Sequence, residues 1–120
     1  MIINTVLLKE KNIIISQFVP ATKMQITMNR LNMMPESPNG KNLQCELKLT
    51  ITIEDEEKKK LAEVSLGFVV VSFIDETDGL YNQSEFADKL FKVLQPLYIA
   101  EANNLLLQSR FPPIPMNIKC

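Results

Sequence analysis

From Leu43 to Ile53 the chain alternates without a fault: Leu43, Cys45, Leu47, Leu49, Ile51 and Ile53 take one phase, Gln44, Glu46, Lys48, Thr50 and Thr52 the other. A period of two is that of a strand with one face buried and one wet. Lys23 to Arg30 repeats the pattern more briefly, with Met24, Ile26 and Met28 opposed to Gln25, Thr27 and Asn29. The intervening "NMMPESPNG" is a loop, marked by Pro35, Pro38 and the Asn39-Gly40 turn pair. Val6 to Val19, with Ile13, Ile14 and Ile15 in a row, is β-prone and predicts a first strand. The charged stretch Glu54 to Lys60 is a solvated hairpin connection, after which Leu61 to Ile74 returns as a long strand. Its first part sets Leu61, Glu63 and Ser65 against Val64, Leu66 and Phe68. From Phe68 onward both faces are apolar, Val69, Val71 and Phe73 opposing Phe68, Val70 and Ile74. A sheet in a small protein usually wets one face, so this strand predicts a cover that the chain has little left to supply, and a partner subunit is the economical source.

Beyond the loop Asp75 to Asn82 the period changes. Ser84 is placed to cap a helix, with Glu85 and Asp88 in its first turn. Phe86, Leu90, Leu94, Leu97, Tyr98, Glu101 and Leu105 then trace a helical stripe. Pro96 lies inside it and should kink or split the helix, because it lacks an N–H and crowds the preceding turn. Unbroken, Ser84 to Ser109 would measure about 39 Å, enough to cross a sheet. Leu105, Leu106 and Leu107 cover more than one side of the cylinder. The order is thus four strands, one long kinked helix and a proline-rich end, an α+β layout with antiparallel sheet on one side and helix on the other. Residues 1–120 are expected to form one domain. The end itself, "RFPPIPMNIKC", has three prolines among residues 111–115 yet keeps Phe111, Ile114, Met116 and Ile118. It can continue neither the helix nor a central strand.

Composition narrows the chemistry. Apolar residues make up 46% and charged residues 22%, an ordinary globular balance, and a net charge of −1 gives no bulk attraction to nucleic acid or anionic membrane. The longest apolar run is far too short to cross a bilayer, so no direct membrane insertion is expected. The start has no basic region or small-residue cleavage site of a signal peptide. Two cysteines, Cys45 and Cys120, without metal-ligand spacing, fit a cytoplasmic chain with reduced thiols. The sequence has no histidine, which removes the commonest general base and zinc ligand together. Its glycines, Gly40, Gly67 and Gly79, are scattered singly and form no phosphate loop. Nothing recommends an enzyme; Asp75, Glu76 and Asp78 beside Thr77 are turn residues before a helix.

Two stretches resemble the bacterial protein-export chaperone SecB. The family's fourth strand carries a Leu-x-Glu-Val pattern, a glycine and an apolar run, and here Leu61-Ala62-Glu63-Val64-Ser65-Leu66-Gly67-Phe68-Val69 reads the same way. At the end of its long helix the family has a proline, an aromatic, then an arginine before a Phe-Pro loop; this chain has Pro96-Leu97-Tyr98 and Ser109-Arg110-Phe111-Pro112-Pro113. The order of elements agrees over nearly the whole chain. The resemblance implies a four-stranded antiparallel sheet with a packed helix, assembled as a homotetramer, a dimer of dimers. It implies a protein-transport activity too: ATP-independent, cofactor-free holding of unfolded polypeptides, including preproteins, in apolar grooves. On that reading Phe68, Phe73, Tyr98, Phe111, Pro112, Ile114 and Met116 are groove candidates, the stiff proline segment forming a wall; the same segment could instead plug the core. Leu61 and Glu63 match two of the positions that dock the export motor ATPase SecA.

The chain also departs from the family. The acidic pair expected on the first strand falls near Asn12 to Gln17, where there is no carboxylate, and the helix expected after the proline loop has no counterpart before Cys120. Family members are usually strongly acidic. These departures suit an alternative: a SecB-fold interaction protein dedicated to one partner, such as an antitoxin, with no part in export.

Overall fold

In the computed structural model, residues 1–16 and 24–109 are described. Four antiparallel strands form one sheet: β1 (Ile2–Ile15), β2 (Gln25–Met33), β3 (Asn42–Glu54) and β4 (Lys60–Phe73), in the order β1-β4-β3-β2. A single 3-10 turn (Glu76–Asp78) leads to two helices, α1 (Gln83–Val93) and α2 (Gln95–Gln108). The α+β layout expected from the periodicities is the one observed.

The two central strands are those with the cleanest alternation. Leu43, Cys45, Leu47, Leu49, Ile51 and Ile53 of β3 lie beside Ser72, Val70, Phe68, Leu66, Val64 and Ala62 of β4, and all twelve are buried under the helices. This is the covered face. At the β3–β4 hairpin the register shifts between Ile53 and Glu54, and Lys58 turns the corner with a positive φ of 62°. The Asn39-Gly40 pair forms the expected tight turn: Asn39 and Asn42 exchange backbone hydrogen bonds of 2.9 and 3.0 Å, and Gly40 takes φ 63°. Glycine reaches that left-handed region without a Cβ penalty.

β1 begins at Ile2, four residues earlier than Val6. Its pairing with β4 shifts register between Ile3 and Thr5 and again between Leu8 and Glu10, leaving Asn4 and Lys9 as extra residues. Each bulge resets which side chains face the core, so the strand shows no sustained alternation. The helix start differs too. Asn82, not Ser84, is the N-cap, its side-chain oxygen accepting from the Glu85 N–H at 3.0 Å.

Pro96 splits the helix rather than bending it. Leu94 ends α1 and precedes α2, and Pro96 occupies the first turn of α2, where its missing N–H costs nothing. The break alters which residues are buried. Phe86, Leu90, Leu94, Tyr98, Ala102 and Leu106, every fourth residue, face the sheet. In one straight helix such a line would drift about 40° per step around the cylinder; the chain breaks at Leu94 between α1 and α2, and the line stays buried through both. Leu97 and Glu101, part of the expected stripe, are turned toward the rim instead.

Candidate polypeptide-binding surface

The covered face holds two of the aromatic side chains that the sequence singled out, Phe68 and Tyr98. Phe68 is 2% exposed, paired across the sheet with Leu47 and Leu8. Tyr98 is 1% exposed and stacks on Phe91 with ring centroids 5.1 Å apart. Both belong to the main core between sheet and helices. Phe73 does not join them. The β3–β4 register runs unbroken from Ala62 to Phe73, and five residues separate Phe68 from Phe73, so their side chains leave opposite faces. Phe73 stands 43% exposed beside Ile2. Phe111, Pro112, Ile114 and Met116 lie outside the described residues.

Leu61 and Glu63 are also parted. Leu61 is fully buried in the core. Glu63 lies on the open face of the sheet, half-exposed and ion-paired with Lys60. Of the two, only the carboxylate is within reach of a docking partner.

The sequence reading missed a polar clamp at the rim of the covered face. Arg30 on β2 shares the inward phase of Ile26 and Met28. Its guanidinium sits 4.5 Å from the centre of the Phe91 ring and is ion-paired with Asp88 on α1. A charge in an inward phase was the available signal, because such a residue demands a partner from the layer above. A second tie holds the β2–β3 loop to the start of α1. The Tyr81 hydroxyl donates to the Pro35 carbonyl at 2.7 Å, and the Gln83 side-chain N–H donates to the same oxygen at 3.0 Å. Tyr81 packs edge-on against Phe86, centroids 5.0 Å apart, over Leu43 and Ile74. Burial pushes the Tyr81 hydroxyl pKa up. Near this tie a hollow is lined by Asn32, Met34, Gln83, Ser84 and Ala87. The Asn32 Nδ2 is buried without a hydrogen-bond acceptor among the described residues.

Asp75, Glu76 and Asp78 form a cap. Asp75 accepts from the Thr77 N–H at 2.8 Å and from the Thr77 hydroxyl, and its own N–H donates to Asp78 at 2.9 Å. Those hydrogen bonds from Thr77 hold the Asp75 carboxyl below its ordinary range; Asp78 is lowered by its hydrogen bond from the Met1 amine. Cys45 is sealed under the helices, and burial pushes its thiol up to about 11.

What remains is exposed apolar surface on both layers. On the open face stand Ile2, Leu7, Ile14, Leu31, Met33 and Phe73. On the helices, Val93, Leu97 and Leu107 are exposed as well. Exposed apolar side chains in such number are a feature of surfaces that meet other chains.

A solved structure shares this arrangement: the SecB-like chaperone of Mycobacterium tuberculosis in complex with a ChAD peptide from the HigA1 antitoxin. The likeness covers 98% of this chain and 89% of that one, with a TM-score of 0.75. The fold is SecB-like. Sequence identity across the match is 12%, so the SecB-like character shown is one of architecture. No family model matches the chain, and no curated protein matches it.

Proposed function

We propose that this protein is an ATP-independent chaperone that captures extended, non-native segments of other polypeptides by apolar burial. The observation that carries the reading is the amount of large apolar side chain left bare on a SecB-like scaffold, on the open face and along the helix layer. Burying such surface yields about 25 cal/mol per Å² removed from water without demanding a particular guest sequence. The buried, acceptor-less Asn32 Nδ2 supports it, since an extended guest offers backbone carbonyls at regular intervals. Phe111, Pro112, Ile114 and Met116 are proposed as guest contacts, and Phe68 and Tyr98 as the packed wall beneath them. Phe73 is proposed for contacts of its own on the other face.

The finer reading, handing preproteins to an export motor in the cytoplasm, draws support from Glu63 on the open face. A second reading is favoured by the solved relative, whose bound peptide comes from an antitoxin: here, too, the guest would be one dedicated protein. The test is aggregation of a chemically denatured substrate, diluted into increasing amounts of the full chain without nucleotide. Suppression saturating near stoichiometric ratios is expected, and no suppression at any ratio rejects general chaperoning. Cross-linking in cells then separates the two readings, a spread of nascent chains supporting the first and one dominant partner the second.

A further inference from the structure

Two places in the chain set a side-chain carbonyl just before a glycine, Asn39-Gly40 and Asp78-Gly79, and the fold treats them differently. Both glycines take a positive φ, 63° and 75°, and at both an added Cβ would meet nothing within 4 Å. Crowding therefore does not separate them; hydrogen bonding does. At Asp78 every group that could react is held. Its Oδ2 accepts from the Asp75 N–H at 2.9 Å, its Oδ1 accepts from the Met1 amine, and the Gly79 N–H donates to the Glu76 carbonyl at 3.4 Å. The same partners keep the Asp78 carboxyl ionised, and a carboxylate resists attack by a nucleophile. At Asn39 the reacting groups are loose. Among the described residues, the Asn39 side-chain amide and the Gly40 N–H have no hydrogen-bond partner, and both residues are exposed. The Asn39 main chain alone is engaged, in an isolated bridge to Asn42 with bonds of 2.9 and 3.0 Å. Two solvent-exposed bonds at a hairpin tip open locally without unfolding the sheet.

We infer that Asn39 is a self-modification site, which deamidates through a cyclic imide with Gly40 and water as the reactants. The Gly40 nitrogen attacks the Asn39 side-chain carbonyl carbon and closes a five-membered ring. The new bond from that nitrogen replaces the Cγ–Nδ2 bond, and Nδ2 leaves as ammonia with the proton lost from Gly40. Water then opens the ring at either carbonyl, giving aspartate or isoaspartate with no change of oxidation state. Glycine permits the step because it has no Cβ to block its own nitrogen and moves most freely through φ and ψ. The product carries one more negative charge at the tip of the β2–β3 loop. In isoaspartate the main chain runs through the former side chain and gains one carbon, so the paired bonds to Asn42 no longer match. The change falls between two anchors of the loop. One is the Pro35 carbonyl, which accepts from Tyr81 and Gln83; the other is the Lys41 carbonyl, which accepts from the Ile74 N–H at 2.8 Å. Conversion slackens the seat of the loop against the start of α1, with no guest involved.

The test ages the full chain in warm, mildly alkaline buffer, folded in one arm and unfolded in guanidinium chloride in the other, and maps both by mass spectrometry after trypsin. In the folded arm the peptide from Leu31 to Lys41 should gain one dalton, with fragmentation placing the gain at Asn39. An isoaspartate-specific carboxyl methyltransferase should label that same peptide. The folded rate at Asn39 is expected to lie within about tenfold of the unfolded rate, and isomerisation at Asp78 to be slowed by folding more than about tenfold. An Asn39 protected by more than tenfold overturns the inference, and so does an Asp78 protected by less. Asn39→Gln, whose longer side chain would have to close a six-membered ring, should lose the mass gain while circular dichroism shows the fold kept. A gain that persists in this variant arises at another residue and rejects Asn39 as the site. Separated by ion exchange, the isoaspartate form should unfold at a lower denaturant concentration than fresh protein; equal midpoints would reject the slackened seat.

Discussion

Arg30 shows how a single residue can satisfy the alternation and still break its chemistry. It takes an inward position on β2, yet its charge is spread over the Phe91 ring and neutralised by Asp88 at the rim. The ion pair is partly solvated and contributes about 0.5 kcal/mol; the cation over the ring adds about as much again, and the stem packs whether or not the charge is paired. Arg30→Ala is therefore expected to lower stability by about 1–2 kcal/mol and Asp88→Ala by no more than about 0.5, measured by urea unfolding of both and of the double variant. The two phenylalanines of β4 give a sharper contrast. Phe68→Ala empties a packed site and should cost about 3–5 kcal/mol, whereas Phe73→Ala on the open face should cost under about 1. Apolar identity alone made them equivalent candidates in the sequence. Parity along the strand separates them, since positions 68 and 73 differ by an odd number.

At the scale of elements, legibility followed regularity. β3 and β4 could be read directly because each covered-face residue has a counterpart directly across. β1 was displaced because the bulges at Asn4 and Lys9 scramble its period, and bulges leave no mark in a linear pattern. The helix stripe was right at Phe86, Leu90, Leu94 and Tyr98 and wrong at Leu97, which stands exposed in the first turn of the new helix that begins at Gln95. Caps are testable individually. Asn82→Ala removes the side-chain acceptor for the Glu85 N–H and should cost about 1 kcal/mol, while Asn82→Asp should restore the cap. The turn before it is acid-sensitive. Asp75 and Asp78 both titrate below the ordinary 3.8 in the folded chain, so their ionised forms stabilise it at neutral pH. That contribution is complete above the unfolded value and fades as the pH falls from about 4 through the lowered folded values. Thermal melts from pH 6 down to pH 2 should show the loss, and Asp75→Asn should flatten it.

The molecule as a whole is elongated, 51 × 22 × 21 Å, with a radius of gyration of 16.1 Å. A compact chain of this length would have about 13–14 Å. The shape follows from its longest elements, since a 14-residue strand spans about 46 Å, and two short helices cover only one face of such a sheet. The doubled apolar character of β4 was therefore a sequence-level sign of apolar surface on the uncovered face: Val69 and Val71 are half-sheltered by neighbours on the open face, and Phe73 less so. Which copy or guest completes the shelter was beyond the sequence, because periodicity assigns residues to faces but does not say what covers them. If copies of the chain supply part of it, folding and association are linked, and the native state gains stability by mass action. The melting temperature should then rise by about 2–5 °C for each tenfold increase in protein concentration. Scanning calorimetry from micromolar to hundreds of micromolar chain measures it. An invariant melting temperature over that range would mean that each copy tolerates its bare apolar side chains alone, and the case for shared surfaces would fail with it.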